Sequence, residues 1–342
     1  MRRHVFKATV IVKEAADQEN LSMVEIDKCV HCHKCRHNCE FLSKYEIDIY
    51  DTEKLRELAY HCFLCGRCTE VCPVGIDGRG LIMSMRQERA SSEEKSQIEK
   101  TYRGLIGEKR DYRFRNWKNV TAGCIFFPGC NFPSMYPKTN AALVKLFSEH
   151  GIGTVYECCG KPIAELGLVS DEETILSRIK KRLNDAGVTE IVLACPNCRH
   201  YFGDRLGVRI RSVYDKLNEL GIGRRLKGDM EFYLPCPDRT ERKWVEEIKL
   251  FIDGTVTIND STQCCGLGGS AIKYEKEIAD SFVKKLGEST DHRLYTYCAS
   301  CTGRFRRCGL DSIDHVLPLI MGTDEQPDII KSYINRVFTK FK

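Results

Sequence analysis

The sequence lacks the features on which several common functions depend. No apolar stretch approaches the roughly 20 residues that cross a bilayer, which argues against a membrane-spanning chain. The N-terminus, Met1-Arg2-Arg3-His4, is basic, but Lys7 and Lys13 interrupt the residues after it, so no signal-peptide core forms. The expected location is the cytoplasm, with contact to the inner face of a membrane only through a partner. No dinucleotide fingerprint and no flavin motif is present. Gly266-Leu267-Gly268-Gly269 follows a double cysteine and lacks the Lys-Ser/Thr ending of a phosphate loop, so packing explains it better. No stripe of alternating aromatic and basic residues offers a surface for stacked bases. Residues 73–123 hold no cysteine at all, although the chain has twenty.

Twenty cysteines in 342 residues, with 42% hydrophobic and 30% charged residues, describe a globular chain with an unusual thiol content. In a secreted protein they would suggest disulfides; in a cytosolic one they suggest metal. The length allows two or three domains, each with its own core. The formal charge of +5 counts every thiol as neutral. A four-thiolate iron–sulfur cube brings about −2 in its oxidised form, so two cubes return the total to near zero. The basic count therefore does not argue for nucleic acid.

Cys29, Cys32, Cys35 and Cys39 follow C-x2-C-x2-C-x3-C, and Cys62, Cys65, Cys68 and Cys72 repeat it. Three closely spaced cysteines wrap one face of a cube, and the fourth reaches the other cube. This pairs Cys29, Cys32, Cys35 and Cys72 at one [4Fe–4S] cluster, and Cys62, Cys65, Cys68 and Cys39 at a second. Zinc, the competing reading, wants four ligands in two separated pairs, which this spacing does not provide. Pro73 follows Cys72, as such runs usually have it, whereas Glu40 follows Cys39. His31, His33, His37 and His61 flank these cysteines and read better as exposed loop residues than as functional groups. The segment Ile47–Tyr60 between the groups has helical periodicity.

The remaining twelve cysteines lie in residues 124–308, and ten of them form an internal repeat. Cys130 is followed by 27 residues, then Cys158-Cys159-Gly160, and 35 residues (160–194) separate Cys159 from Cys195-Pro196-Asn197-Cys198. Cys236 is followed by 27 residues, then Cys264-Cys265-Gly266, and 32 residues (266–297) separate Cys265 from Cys298-Ala299-Ser300-Cys301. Strands are expected at Ile125–Phe127, Thr154–Tyr156 and Ile191–Ala194, and again at Phe232–Leu234, Val256–Ile258 and Leu294–Tyr297. Helices are expected at Asn140–His150 and Asp171–Ala186, and at Glu241–Ile252 and Ala271–Leu286. Each cysteine group then lies just past the C-terminal end of a strand, where open α/β sheets place ligands. Adjacent cysteines strain a simple tetrahedral site but can bridge neighbouring irons of a larger cluster. Gly160 and Gly266 would let the backbone pass close to inorganic sulfide. Zinc or an empty unit, and a vicinal dithiol at Cys158-Cys159, are the weaker alternatives. Cys124 and Cys308 fall outside both patterns and read as buried or free thiols. His200, His292 and His315 are candidate proton donors, with structural roles the better expectation.

The doubled pattern resembles the CCG-domain signature of the heterodisulfide reductase B/D subunits, most of all the fused type with a ferredoxin block in front. More distantly it is similar to iron–sulfur subunits of anaerobic glycerol-3-phosphate and lactate or glycolate oxidases. Phe127-Pro128-Gly129-Cys130 and Asp314-His315-Val316-Leu317-Pro318-Leu319 also look like family segments. The resemblance implies two non-cubane [4Fe–4S] clusters besides the two cubes. Cys130, Cys158, Cys159, Cys195 and Cys198 would hold one; Cys236, Cys264, Cys265, Cys298 and Cys301 the other. Catalysis would act through these ten cysteines. The expected fold is a pair of pseudo-repeated α/β units plus a small helical ferredoxin-like domain. Its boundaries are 1–90 for the ferredoxin domain, 91–120 for a linker, and 121–228 and 229–342 for the two CCG domains. The implied function is an oxidoreductase subunit reducing a small-molecule disulfide. Its electrons come from a flavoprotein or cytochrome b partner. The alternative is an electron-transfer subunit of a flavin dehydrogenase complex that feeds quinone or another carrier. Clusters of this number suggest an anaerobe.

Overall fold

The computed structural model describes residues 26–341. Residues Met1 to Lys13, expected to form no signal-peptide core, lie outside it.

Eleven strands appear among the described residues: β1 (Asn116–Asn119), β2 (Gly123–Phe127), β3 (Gly153–Tyr156), β4 (Val188–Leu193), β5 (Arg209–Ser212), β6 (Leu226–Lys227), β7 (Met230–Tyr233), β8 (Ile252–Asp253), β9 (Val256–Asn259), β10 (Leu294–Thr296) and β11 (Ile313–His315). They build two principal sheets, in the orders β1-β3-β2-β4-β5 and β11-β10-β7-β9. Strand β1 is antiparallel to β3; the other neighbours in both sheets run parallel. The chain is mixed α/β, with the repeated units in its C-terminal region and a helical iron–sulfur module before them.

Without β1, the two sheets have one topology. The first strand of each unit, β2 or β7, is central; the second pairs on one side and the third and fourth on the other. Chain direction across the sheet thus reverses beside β2 and β7. Connections on the two sides of that point cover opposite faces and leave a crevice at the strands' C-terminal ends. The central strands β2 and β4 end in apolar runs because both faces are covered there. Ile125, Phe126, Phe127, Ile191, Val192 and Leu193 are all fully buried.

Helices fall close to the expected places. Pro137–Glu149 buries Leu143 and Phe147, and Val169–Asp185 buries Ile175, Ile179 and Leu183. In the second unit the helices are Lys243–Lys249 and Lys276–Glu288. The first is shorter than expected. A 3-10 segment, Gly268–Lys273, precedes the second in place of its expected first turn. Residues 91–120, expected as a linker, carry helices Lys95–Thr101 and Arg103–Lys109 and strand β1. Ile98, Tyr102 and Ile106 from this stretch join the core of the first unit.

The ferredoxin module sits against both units. Phe41, Leu55, Ala59 and Phe63 share a core with Cys264, Ala271 and Phe282 of the second unit. Arg86, fully buried, donates to the carbonyls of Ala59, Cys62, Glu165 and Gly269 and lies over the Tyr60 ring. Glu275 accepts from Lys44 at 2.6 Å and from the Tyr45 hydroxyl at 2.7 Å, and its other close partner is His61 at 2.5 Å. His61 is therefore an interface residue, unlike the exposed His31, His33 and His37. Gly268 is required here by close approach, since a Cβ would meet the Phe63 carbonyl oxygen at 2.2 Å. The glycine-rich Gly266–Gly269 stretch is thus a packing surface.

Candidate iron–sulfur centres

The two ferredoxin loops have the same backbone signature. His31 and Leu64, one residue before the second cysteine of each run, have φ of 49° and 52°. His33 and Gly66, one residue after it, have φ of 57° and 75°. Three of these four are not glycine, so each loop holds a costly left-handed conformation, as functional loops often do. Short helices, Lys34–His37 and Arg67–Glu70, follow and carry the third cysteines.

Cys29, Cys32, Cys35 and Cys72 line one small cavity with Val30, Ile49, Val74 and Ile76. The Cys72 sulfur accepts from Ile76 N–H at 3.3 Å. Asp48 is the charged neighbour: its carboxylate lies 3.7 Å from the Cys35 sulfur and 2.5 Å from His33 Nδ1. Burial, chiefly, pushes the Cys35 thiol up.

Cys39, Cys62, Cys65 and Cys68 form the other set, close enough that each thiolate raises the cost of ionising its neighbours. Burial pushes Cys39 to about 12 and Cys62 to about 11, while Cys65 falls to about 6 because the Cys264 thiol hydrogen-bonds to it. Gln263 Nε2 donates to Cys39 Sγ at 3.6 Å and to Cys65 Sγ at 3.5 Å. Each C-x2-C-x2-C-x3-C run thus contributes three thiols to one set and its fourth to the other.

In the first α/β unit Cys130 follows β2, Cys158-Cys159 follow β3, and Cys195 and Cys198 follow β4. The five thiols form one network. All are free thiols: Cys130 lies within hydrogen-bond reach of Cys158, Cys159 of Cys158 and Cys198, and Cys195 of Cys198. Three side chains from outside the repeat crowd it. Lys109 and Arg336 bring positive charge toward Cys130, and Tyr112 packs beside Cys158. Glu108 pairs with both cations, at 2.7 Å each.

The second unit repeats the network. Cys236 and Cys265 lie within hydrogen-bond reach of Cys264, and Cys301 of Cys265 and Cys298. Its neighbours are Arg239 and the buried Tyr233, whose hydroxyl has no hydrogen-bond partner among the described residues. Gly160 and Gly266, after each double cysteine, have φ of 95° and 85°, and a Cβ would press at 2.9 Å on Ile175 and Ala279. The physical need for glycine is therefore a left-handed turn into the next helix.

The two networks sit across one interface. Asn197 Nδ2 donates to Cys298 Sγ at 3.5 Å, and Asn131 Nδ2 to Ser300 Oγ at 2.6 Å. Beside it, Arg199, His200, Arg209, Lys243, Glu241 and Trp244 help line an open cavity of about 410 Å³. Burial, then Arg79 and Lys161, press His200 down to about 4, so it is neutral at physiological pH. His315 is 2% exposed and accepts from Leu317 N–H at 3.2 Å, a capping role. His292 is exposed, Cys308 is exposed, and Cys124 bonds to Glu190 at 3.3 Å. None of these meets a thiol network.

Among the described residues no three Cys, His, Asp or Glu side chains close on one bare metal ion. The donor chemistry of the four sets is sulfur throughout, with backbone and amide N–H groups aimed at it. Such sets of four or five thiolates suit iron–sulfur clusters. A 4Fe-4S dicluster domain model matches residues 25–76, and a cysteine-rich CCG domain model matches residues 124–203 and 232–306. The chain is a tandem CCG-domain iron–sulfur protein.

This CCG-domain protein is homologous to the B subunit of fumarate reductase (CoM/CoB) from Methanothermobacter marburgensis. The two are 25% identical over 310 residues, covering 76% of this chain and 62% of that one. An uncharacterized iron–sulfur protein of Methanococcus maripaludis is 23% identical over 302 residues, covering 78% of this chain and 60% of that one. The chain thus spans about three-fifths of the length of these two relatives. EtfAB:quinone oxidoreductase of Syntrophomonas wolfei is 24% identical over 170 residues, 41% of this chain and 24% of that protein. No helix of the described residues is long and apolar enough to cross a membrane.

Sequence reasoning missed Arg86, Lys109, Gln263 and Arg336. Each reaches a site across a long sequence separation, and a single charge or amide outside a motif carries no local signal.

Proposed function

We propose that this protein is the iron–sulfur subunit of an oxidoreductase, receiving single electrons from a flavoprotein or cytochrome b partner and using them in pairs on a small-molecule disulfide. Iron–sulfur clusters, when bound, take up and release electrons one at a time, and a disulfide needs two. Cys29, Cys32, Cys35 and Cys72 hold one cubane, and Cys39, Cys62, Cys65 and Cys68 the other. The five-thiol sets at Cys130, Cys158, Cys159, Cys195 and Cys198 and at Cys236, Cys264, Cys265, Cys298 and Cys301 hold non-cubane clusters. The observation that carries this reading is the pair of complete five-thiol networks on either side of the Asn197–Cys298 contact. The chain's own part is to place those thiols and to keep water from them: Cys158, Cys159, Cys198, Cys264, Cys265, Cys298 and Cys301 are all buried.

A second reading is favoured by the likeness to the EtfAB:quinone oxidoreductase: an electron-transfer subunit that passes electrons toward quinone or another carrier. Turnover of a mixed disulfide with reduced viologen by anaerobically purified protein supports the first reading. Full cluster content without turnover supports the second. Only about eight irons per chain would mean two cubes and no more, which overturns the disulfide chemistry.

A further inference from the structure

Gln263 directly precedes the double cysteine of the second unit, but its side chain serves the ferredoxin module. Its Nε2 donates to Cys39 and Cys65, two thiols from opposite halves of that module. Its Oε1 accepts from Glu40 N–H at 2.9 Å, and its own carbonyl accepts from Arg239. It is 9% exposed. The next residue, Cys264, lies within hydrogen-bond reach of Cys65. One amide therefore joins the second ferredoxin set to the second five-thiol set.

The surroundings of the two ferredoxin sets differ in sign. The Cys35 sulfur has the Asp48 carboxylate beside it. The other set has the Gln263 amide, the Arg86 guanidinium on the Cys62 carbonyl, and Arg239 near Cys65. Reduction adds negative charge to a cluster. Donors and cations aimed at its thiolates stabilise that charge, and a carboxylate opposes it.

We propose that Gln263 is a positioning residue that raises the reduction potential of the cluster held by Cys39, Cys62, Cys65 and Cys68. This rests on those four thiols binding a cluster, as argued above. The test is an anaerobic redox titration of the full-length protein followed by electron spin resonance. Iron and sulfide are counted first, so that a missing cluster, which would sink the functional reading, is distinguished from a misplaced role for Gln263. Gln263→Met keeps the length and removes both donors. It should lower the potential of this cluster by about 59 mV, a tenfold change in its one-electron equilibrium, and leave the Cys29–Cys72 cluster unchanged. Gln263→Glu keeps the acceptor for Glu40 but loses the donors, and should lower the potential at least as far. A wild-type potential in either fully loaded variant overturns the proposal. Should neither variant assemble, pulsed spin resonance on wild-type protein labelled with 15N-glutamine must show nitrogen coupled to this cluster. Absence of that coupling overturns it as well.

Discussion

The two CCG units share their sheet order, their five thiols and their glycine turns, yet their thiols live in different company. Around the first network the neighbours come from outside the repeat: Lys109 and Tyr112 from the segment before it, and Arg336 from the helix Ser332–Thr339. Around the second they are its own Arg239 and Tyr233, together with Cys65 of the ferredoxin module and Lys161 of the first unit. Duplication copied the donors and the crevice. The electrostatics were not copied: the first network takes its cations from outside the repeat, and the second has Arg239 within its own unit. Equal thiol sets thus need not have equal potentials, and among the described residues it is the second unit that meets a ferredoxin thiol, Cys264 at Cys65.

The strongest way to break the comparison is to remove one thiol of the adjacent pair from each unit. Cys159→Ala and Cys265→Ala should each lose about four irons, with the ferredoxin signals retained. Retention of full iron by either would mean that the adjacent cysteines are not equivalent ligands. Arg86→Met should come next in size. It leaves four buried carbonyls, of Ala59, Cys62, Glu165 and Gly269, without their donor. A loss of at least about 3 kcal/mol in anaerobic denaturant unfolding is expected.

Lys109→Met should separate the units electrically. Lys109 is 8% exposed and its ammonium bears on Cys130 and Cys158. Removing it should lower the potential of the first unit's cluster by about 59 mV, one decade in the equilibrium, and leave the second in place. An equal shift in both would show that the two sites share one field.

Acid should distinguish them more gently. At matching strand ends, Ser212 in the first unit accepts from Asp215 N–H at 3.0 Å, and His315 in the second accepts from Leu317 N–H at 3.2 Å. Burial lowers His315 from 6.5 to about 3 in the folded state. The unfolded chain therefore binds the extra proton between those values, and stability falls as the pH drops through that window. The slope is about 1.4 kcal/mol per pH unit. His315→Ser, which copies the first unit, should flatten it; an unchanged slope would assign the acid sensitivity elsewhere. Cys308→Ser should change neither iron content nor stability by more than about 0.5 kcal/mol, as expected for an exposed thiol.

The parts of this protein that repeat were readable in the sequence, because cysteine spacing and strand periodicity are local properties. The strands before Cys130, Cys158, Cys195, Cys236 and Cys298 fall within a few residues of their expected places. The helix expected at Glu241–Ile252 contracts to Lys243–Lys249, where Asp238 accepts from Trp244 N–H at 3.1 Å and sets a later start. What the sequence hid depends on tertiary placement. Gln263 and Cys39 are 224 residues apart. The charged stretch from Glu93 to Lys118 reads as a helical or extended linker, with no local sign of what it packs against. Its few apolar side chains, Ile98, Tyr102 and Ile106, are nonetheless the ones that pack. His61 looked like its exposed neighbours until Glu275 was found against it.

Arg86 grips the ferredoxin loop and both α/β units with one planar group, and that has a kinetic corollary. Some electron carriers work by excursion, a tethered head swinging between donor and acceptor. Here a swing of the ferredoxin module would pull the buried guanidinium off the Glu165 and Gly269 carbonyls of both units at once. Traffic through this chain must instead run over fixed spacings, so its rate should be indifferent to solvent viscosity.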